Sequence, residues 1–413
     1  MREKLTLGIY MAGLIILAVI TTLSYNGSED MSEIENPTES YISFFNYAKD
    51  KVIDVHITLP QESWINMLVT AHTRQFYGIN AEIDGTAFNS VGFRIMGNLF
   101  SSNPQSQTRY SFKIQFNRYI NGHSFYGIDE LNLRNQFGDP SFMREYLMLE
   151  AMRESGMAVP LAMYVNLYIN GQLQGLYLAV EAIDNSFLTR NFGDALGNLY
   201  RGENHATMLT DMHSEAFSHK KGDDIEQTEL AYLIKVLNNL QFGKGEIESV
   251  LDVDSVLRYI AANTVFGNYG SYLGRNAQDY YLYRNPYTGI FTIFPHDVKT
   301  AFGAYRHDYG RSTDIPVTRP LLDSTFTDRP LVGKLLAVDE YRDKYTEYVN
   351  EFIGYLKNVE LRIGELDEIL SPYVEADPTK FYTTEHYKAN INGTGNMSIL
   401  TYARKRLEFL ERQ

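Results

Sequence analysis

MYVNLYINGQLQGLYLAVEAID, residues 163–184, carries the strongest structural signal in this chain. Two apolar-rich halves flank the dipeptide Asn170-Gly171. Asn-Gly between two such runs is the sequence most typical of a tight turn between antiparallel strands. The segment is therefore predicted to form a β-hairpin.

The residues before this hairpin predict further strands. Apolar and polar residues alternate in KVIDVHITLP (51–60) and TRYSFKIQF (108–116), as they do in half-buried strands. GINAEIDGTAFNSVGFRIMGN (78–98) holds two more strands around an Asp-Gly turn. FMREYLMLEAMRESG (142–156) instead has helical spacing and stops at a glycine. The first half of the chain is thus predicted to be rich in antiparallel strands.

After the hairpin the pattern becomes mostly helical. Apolar residues recur three and four positions apart in 224–240, 253–267, 340–356 and 397–412. One more hairpin lies among these helices, in 279–297, where the turn NPYTG separates DYYLYR from GIFTIFP. Antiparallel strands first and helices later predict an α+β fold.

The N-terminus has the pattern of a targeting element. Arg2 and Lys4 precede an uncharged segment, residues 5–23, close to the roughly 20 apolar residues that span a bilayer. Acidic residues follow, so the remainder is predicted to lie outside the cytoplasm. Residues 1–24 are predicted to be either a retained membrane anchor or a cleaved signal peptide, and 25–48 an acidic linker.

Composition excludes several classes of function. The formal net charge is −14 and no basic stripe is evident, so nucleic acid is not an expected partner, because phosphate contacts need clustered Lys and Arg. The chain has no cysteine, which rules out disulfides and zinc sites built from cysteine.

Asp297 is the first candidate for chemistry. It follows the strand of GIFTIFPHDVKTAFG (289–303), which is apolar on both faces. A carboxylate at such a rigid position can bind a divalent metal or polarise a substrate, or it can merely cap the next turn. His296-Asp297 also occurs in metal phosphohydrolases, but the further histidines that such chemistry needs are not evident. Asp279 opens the partner strand, so the two carboxylates are predicted at the same end of one hairpin. There they form either a seat for Mg²⁺ or two solvated acids at a sheet edge.

Four blocks of the sequence, in order, resemble the CotH family of spore-coat-type, atypical secretory protein kinases. They are GFRIMGN (92–98), LNLRNQFGDPSFMREYLMLEAMRESG (131–156), VNLYINGQLQGLYLAVEAID (165–184) and YYLYRNPYTGIFTIFPHDVKTAFG (280–303). The resemblance spans about 50–413.

The resemblance implies an atypical protein-kinase-like fold over 49–413, with a β-rich nucleotide lobe, 49–185, and a helical lobe, 186–413. It implies binding of ATP with Mg²⁺ or Mn²⁺ and phosphate transfer to Ser/Thr of a protein partner, such as a coat or envelope protein. Asp297 matches the metal-binding aspartate of the family, and Asp279 the second metal ligand. Both are therefore expected to be catalytic.

The resemblance also implies a set of nucleotide-binding residues. Glu181 matches the acid that follows the hairpin and is expected near the nucleotide. Arg94 and Arg109 fall in the strand pair that faces the phosphates. Arg144 matches a family arginine that either binds the nucleotide or forms a structural ion pair.

The chain departs from the family pattern at three positions. Gly270 stands where the family usually has a catalytic aspartate, and Lys299 replaces a second acid beside Asp297. The usual lysine of the phosphate-facing strand corresponds to Arg109 or Tyr110. The loop around Gly270, residues 268–276, is expected to line the nucleotide cleft opposite Asp297, because its glycines allow close backbone approach.

Three functions are compatible with the sequence. The first is an active, exported kinase that uses ATP outside the cytosol. The second is a nucleotide-binding pseudokinase that acts as a scaffold for coat or envelope assembly. The third is a cell-surface module associated with carbohydrate, although the sequence has no recognisable pair of glycosidase carboxylates.

Overall fold

The computed structural model describes residues 37–96, 109–240, 247–305, 310–395 and 398–413. The predicted membrane anchor or signal peptide, 1–24, and the first part of the predicted linker lie outside these ranges. Within them, no helix is both long and apolar enough to cross a membrane.

A closed barrel of strands forms the first half of the described chain. Its strand order is β1-β2-β3-β4-β5-β7-β6. The elements up to the last barrel strand are α1 Pro37–Ala48, β1 Val52–Thr58, α2 Gln61–Val69, β2 Tyr77–Ile83, β3 Thr86–Met96, β4 Ser111–Gln115, β5 Glu130–Arg134, α3 Arg144–Glu154, β6 Ala162–Ile169 and β7 Gln172–Glu181.

The hairpin predicted from Asn170-Gly171 is β6–β7. Asn170 and Gly171 both have positive φ, 50° and 75°, as the favoured two-residue turn requires. Neighbouring strands are antiparallel except that β1 runs parallel to β6, with Val52 opposite Tyr164. This one parallel pair closes the barrel and leaves no free edge between its first and last strands.

Residues 37–48, predicted as the end of a linker, fold instead as helix α1. Tyr41, Phe44, Phe45 and Ala48 are buried, spaced so that they share one face of the helix. The ring of Phe44 packs edge-on against Phe125 at 4.7 Å between centroids. The linker prediction was wrong because it was based on the acidic composition of 25–48 and did not consider the helical spacing of these four apolar residues.

The second half is mainly helical and carries a small sheet. Its strands are ordered β11-β10-β8-β9. The elements are α4 Asn185–Phe192, β8 Asn198–Gly202, β9 Phe217–Lys221, α5 Thr228–Asn239, α6 Val253–Val265, β10 Tyr280–Arg284, β11 Phe291–Pro295, α7 Pro330–Gly333, α8 Asp339–Ala376, α9 Thr384–Ile391 and α10 Ile399–Leu410. Mixed helix and sheet content makes the fold α+β, as the sequence predicted.

Helix α8 joins the two halves. Its 38 residues pack along α6, and its C-terminal end reaches strand β7 of the barrel. There the Asp377 carboxylate accepts a hydrogen bond from the backbone N of Leu176 at 2.9 Å. A Cβ atom on Gly175, which has φ +112°, would lie 2.1 Å from that carboxylate. Glycine is therefore required where the helix end meets the strand.

Candidate functional site

Three elements from both halves meet at one charged cluster. Arg134 is the last residue of β5, Glu145 lies in the first turn of α3, and Asp297 follows β11. Arg134 Nη1 lies 3.2 Å from Glu145 Oε1 and 3.7 Å from Asp297 Oδ2. The guanidinium thus bridges a helix glutamate and a hairpin aspartate, and links the barrel to the helical half.

Asp297 is held ionised within this cluster. Only 11% of its side chain is exposed; burial alone would raise its pKa, but Lys299 and Arg134 together hold that pKa well below its usual range. Lys299 Nζ lies 2.5 Å from Oδ2 and the Lys299 backbone N donates to Oδ1 at 2.9 Å. The carboxylate therefore remains an anion with a fixed orientation.

Glu145 and Arg134 respond to burial in opposite ways. Burial raises the pKa of Glu145, although Arg134 opposes the rise. Burial would lower the pKa of Arg134, but Glu145, Asp297 and Asp279 outweigh it and raise that pKa. The guanidinium therefore stays positively charged, because the nearby acidic groups stabilise its charged form.

Asp279 lies at the same end of the β10–β11 hairpin as Asp297. The backbone N of His296 donates to the carbonyl of Asp279 at 2.9 Å, so the strand ends are paired as the sequence predicted. The Asp279 carboxylate contacts His296 Nδ1 at 3.1 Å and Arg201 Nη2 at 3.5 Å. Its φ is 58°, a left-handed conformation that aspartate tolerates better than most residues.

The donor set fits a divalent cation that is completed by phosphate. Mg²⁺ is usually held by one or two carboxylates together with substrate phosphates. Asp297 supplies one carboxylate, and Asp279, at the same end of the hairpin, contacts the neighbouring His296. No group of three or more His, Cys, Asp or Glu side chains that could hold a metal is found among the described residues. The Nε atoms of Arg134 and Arg201 are buried and lack a hydrogen-bond partner in that same part of the chain.

Arg109 does not face this cluster, contrary to the expectation from sequence. Its side chain is fully buried, and Nη1 lies 2.6 Å from Asp377 Oδ2 at the end of α8. Its Nε donates to the carbonyl of Asn135 at 3.0 Å, and the guanidinium lies over the Tyr177 ring at 4.3 Å. These contacts make Arg109 a structural residue.

Arg144 and Glu181 also occupy structural positions. Arg144 is buried and its Nη1 lies 2.6 Å from Asp139 Oδ1, the ion pair that the sequence left open as an alternative. Glu181 is buried and binds Arg190 Nη2 at 2.6 Å. It also accepts from the Leu161 backbone N at 3.0 Å and from the hydroxyl of Tyr41. Both Glu181 oxygens are thus engaged by protein groups, so the expectation that Glu181 sits at the nucleotide finds no support in its contacts.

Arg94 lies on the outer face of the barrel, next to Lys113, which was not predicted as a site residue. Arg94 on β3 is opposite Lys113 on β4, and Lys113 forms an ion pair with Glu130. Lys113 lies within β4, whereas Arg109 and Tyr110 precede the strand, which begins at Ser111. The face that carries Arg94 therefore holds a second cation, and Glu130 balances the charge of that cation.

The Gly270 loop packs beside the segment that follows Asp297. The Gly270 backbone N donates to Thr300 Oγ1 at 3.2 Å, and Asn268 contacts the same hydroxyl. A Cβ on Gly270 would lie 2.5 Å from that oxygen. Residues 267–274 are all buried. This stretch therefore packs against the segment that follows Asp297 and does not form the wall of an open cleft.

A cavity of about 380 Å³ lies between the barrel and the small sheet, next to Asp184. Asp184 Oδ1 caps helix α4 by accepting from the backbone N of Ser186 at 2.9 Å. Its Oδ2 is buried and has no hydrogen-bond partner among the described residues. Burial raises the pKa of Asp184 from 3.8 to about 7.

The raised pKa of Asp184 predicts a pH-dependent stability. Between about pH 4 and pH 7 the folded carboxyl keeps a proton that the unfolded one has lost, so the free energy of unfolding falls as pH rises. Asp184→Asn keeps a capping oxygen but cannot ionise, and this part of the fall is expected to disappear. Urea denaturation of both proteins across that range measures it. An equal fall in both proteins would show that Asp184 does not titrate there.

Sequence reasoning missed Arg134 and Glu145. Both lie in the block 131–156 that carried the family resemblance, one at a strand end and one in the first turn of the following helix. Their spacing places a cation and an acid at two element ends that could face each other. This pattern of charged residues at the ends of two consecutive elements was the available signal for the cluster.

A strand cation, a helix glutamate and a hairpin aspartate thus meet between a β-rich and a helical part of the chain. The family model described as CotH kinase protein matches residues 93–410. The chain therefore belongs to the CotH kinase protein family, as the sequence blocks indicated.

Among curated proteins, the chain is similar to inner spore coat protein H of Bacillus subtilis (strain 168). The two are 26% identical over 279 residues, which cover 64% of this chain and 74% of the relative. Among solved structures, the Helicobacter pylori proinflammatory kinase CtkA matches 75% of this chain and 92% of its own, at 12% identity and a TM-score of 0.33. The Shewanella oneidensis MR-1 HipA, HipB and operator DNA complex matches 68% of this chain and 59% of its own, at 12% identity and a TM-score of 0.34.

Proposed function

We propose that the protein is a kinase that transfers phosphate from ATP to Ser/Thr hydroxyls of a protein partner, with a divalent metal. The contact of Arg134 with both Glu145, at 3.2 Å, and Asp297, at 3.7 Å, carries the proposal. Protein kinases need a strand lysine paired with a helix glutamate, and an aspartate that binds Mg²⁺, to be in place together. Here Arg134 is a cation on a strand, Glu145 is a glutamate on a helix, and Asp297 is an aspartate that follows a strand.

Each residue of the cluster has a distinct role in this proposal. Arg134 binds phosphate oxygens, and Glu145 holds its guanidinium in place. Asp297 and Asp279 would hold Mg²⁺ or Mn²⁺, which neutralises charge on the transferred phosphate. Arginine in place of lysine offers a planar fork of donors to a phosphate in place of a point charge.

The acceptor and the location are proposed from the family relationship. Inner spore coat protein H is a coat protein by its name, so a coat or envelope protein is the proposed acceptor, outside the cytoplasm. The uncharged segment 5–23 is proposed to bring the chain to the membrane or through it.

A pseudokinase scaffold is the second candidate, and the pairing of Lys299 with Asp297 favours it. The Lys299 ammonium occupies Asp297 Oδ2 at 2.5 Å, where a metal would otherwise bind. Gly270 also supplies no carboxylate to accept the proton of a substrate hydroxyl. In this alternative the protein binds nucleotide but does not transfer phosphate.

Replacement of Arg134 tests whether the cluster binds nucleotide. ATP with Mg²⁺ is expected to raise the thermal midpoint of the full-length protein, because a ligand that binds only the native state stabilises it. Arg134→Met is expected to weaken ATP binding by about tenfold or more, the loss of one charge-assisted hydrogen bond. Isothermal titration calorimetry with ATP measures this loss directly.

Arg404→Met is the matched control, since Arg404 is 59% exposed and pairs with Glu360 between α10 and α8. It should bind ATP as the wild type does. If Arg134→Met binds ATP with the affinity of the wild type, Arg134 is not part of the nucleotide site. Binding with phosphate transfer to a protein acceptor supports the kinase, and binding without any transfer supports the scaffold.

A further inference from the structure

The two oxygens of the Asp297 carboxylate are held in different ways. Oδ1 accepts from the backbone N of Lys299 at 2.9 Å, a contact fixed by the turn. Oδ2 accepts from the Lys299 ammonium at 2.5 Å, a contact made by a flexible side chain. The backbone therefore fixes the orientation of Oδ1, whereas the hydrogen bond to Oδ2 is lost when the Lys299 side chain moves.

Lys299 is the exposed member of its pair with Asp297, although Glu145 also attracts its ammonium. Its side chain is 56% exposed, whereas that of Asp297 is 11% exposed. No other hydrogen bond of the Lys299 ammonium occurs in the part of the chain that the structure describes. The side chain can swing into solvent while the backbone N keeps the carboxylate in its present orientation.

A divalent ion and the ammonium compete for Oδ2. Mg²⁺ binds carboxylate oxygen at about 2.0–2.1 Å, and the ammonium already lies within hydrogen-bond distance of the same atom. Like charges at such separation repel strongly in a partly buried site. A metal at Asp297 is therefore bound more tightly when Lys299 moves away to another anion.

We infer that Lys299 is a displaceable cation that keeps divalent metal off Asp297 until a polyphosphate draws its ammonium away. Lysine binds phosphate as a point charge, so the phosphates of a nucleotide supply the alternative partner. Nucleotide and metal then bind with positive coupling, and the protein without nucleotide binds metal weakly. The inference rests on the proposed nucleotide site and adds the order in which its ligands assemble.

Lys299→Met tests this inference through two opposite changes. Without nucleotide, the variant is expected to bind Mn²⁺ about tenfold tighter than wild type, within the usual range of coupling between sites. In EDTA, it is expected to bind metal-free ATP more weakly, because a phosphate partner is lost. Mn²⁺ affinity is measured from the electron paramagnetic resonance signal of the free ion, and ATP affinity by calorimetry. Damage to the fold would weaken both affinities.

Two further proteins locate the effect. Lys344→Met removes an exposed lysine of α8 that pairs with Glu347, and it should change neither affinity. Adding Asp297→Asn to Lys299→Met should abolish the gain in Mn²⁺ binding, which places the ion at Asp297. Persistence of the gain in that double variant would overturn the inference.

The outcomes separate this inference from the proposed function. Equal Mn²⁺ affinity in wild type and Lys299→Met overturns the role of Lys299, even if ATP binds at Arg134 and Asp297. Failure of ATP to bind any of the proteins overturns the nucleotide site, and with it the coupling. A gain in Mn²⁺ affinity together with weaker metal-free ATP binding supports both.

Discussion

Asp297→Asn is expected to lower phosphate transfer by a factor of about 100 or more, the usual effect of removing one group that stabilises transition-state charge. Asparagine keeps the shape of the side chain and removes the charge that Arg134 and Lys299 now balance. The Mg²⁺-dependent rise of the thermal midpoint with ATP is expected to vanish in the same variant. Transfer of radiolabelled phosphate from ATP to a protein acceptor measures the first effect, and a thermal-shift titration the second.

The control for this variant is Asp343→Asn, which removes an exposed carboxylate of α8. Both transfer and midpoint shift should match the wild type. Wild-type transfer by Asp297→Asn would exclude Asp297 as a catalytic residue. A midpoint shift that vanishes, in a protein that never transfers phosphate, would favour the scaffold.

The local elements were predictable from sequence because their signals are short-range. Asn170-Gly171 specifies a turn through the φ values that these two residues tolerate, and β6–β7 has the predicted form. The position of Asp279 and Asp297 at the same end of one hairpin followed from the same logic, since an antiparallel hairpin brings its two chain ends together. The helices around 253–267 and 340–356 followed from apolar spacing, although α8 extends 20 residues beyond 356, to Ala376.

Pairings between distant residues were not predictable, and they decide which charged residues belong to the site. Arg109 and Asp377 are 268 positions apart in the chain, and Tyr41 and Glu181 are 140 apart. No local pattern indicates that a charged side chain will be buried against such a partner. Family motifs therefore pointed to Arg109 and Glu181 as ligands, whereas the fold uses both to join its parts.

Arg109→Met is expected to lower the free energy of unfolding by about 3–5 kcal/mol, the usual cost of leaving one member of a buried ion pair unpaired. Neither side chain of the Arg109–Asp377 pair is exposed. The guanidinium also donates to Thr379 Oγ1 at 3.0 Å and to the carbonyl of Leu176. It therefore ties the end of α8 to strand β7, and its loss should loosen the junction between the two halves. Urea denaturation followed by circular dichroism measures the change.

The physical cause can be separated from a general loss of packing. If the unpaired Asp377 carboxylate dominates the cost, Asp377→Asn added to Arg109→Met should recover part of the stability, because it removes the uncompensated charge. Arg404→Met, which breaks the exposed pair with Glu360 at 2.8 Å, should cost less than about 1 kcal/mol. A double variant less stable than Arg109→Met would instead assign the cost to lost hydrogen bonds, since Asp377 also accepts from the Leu176 backbone N. In either case the comparison decides whether Arg109 stabilises the junction by charge balance or by the donors it places there.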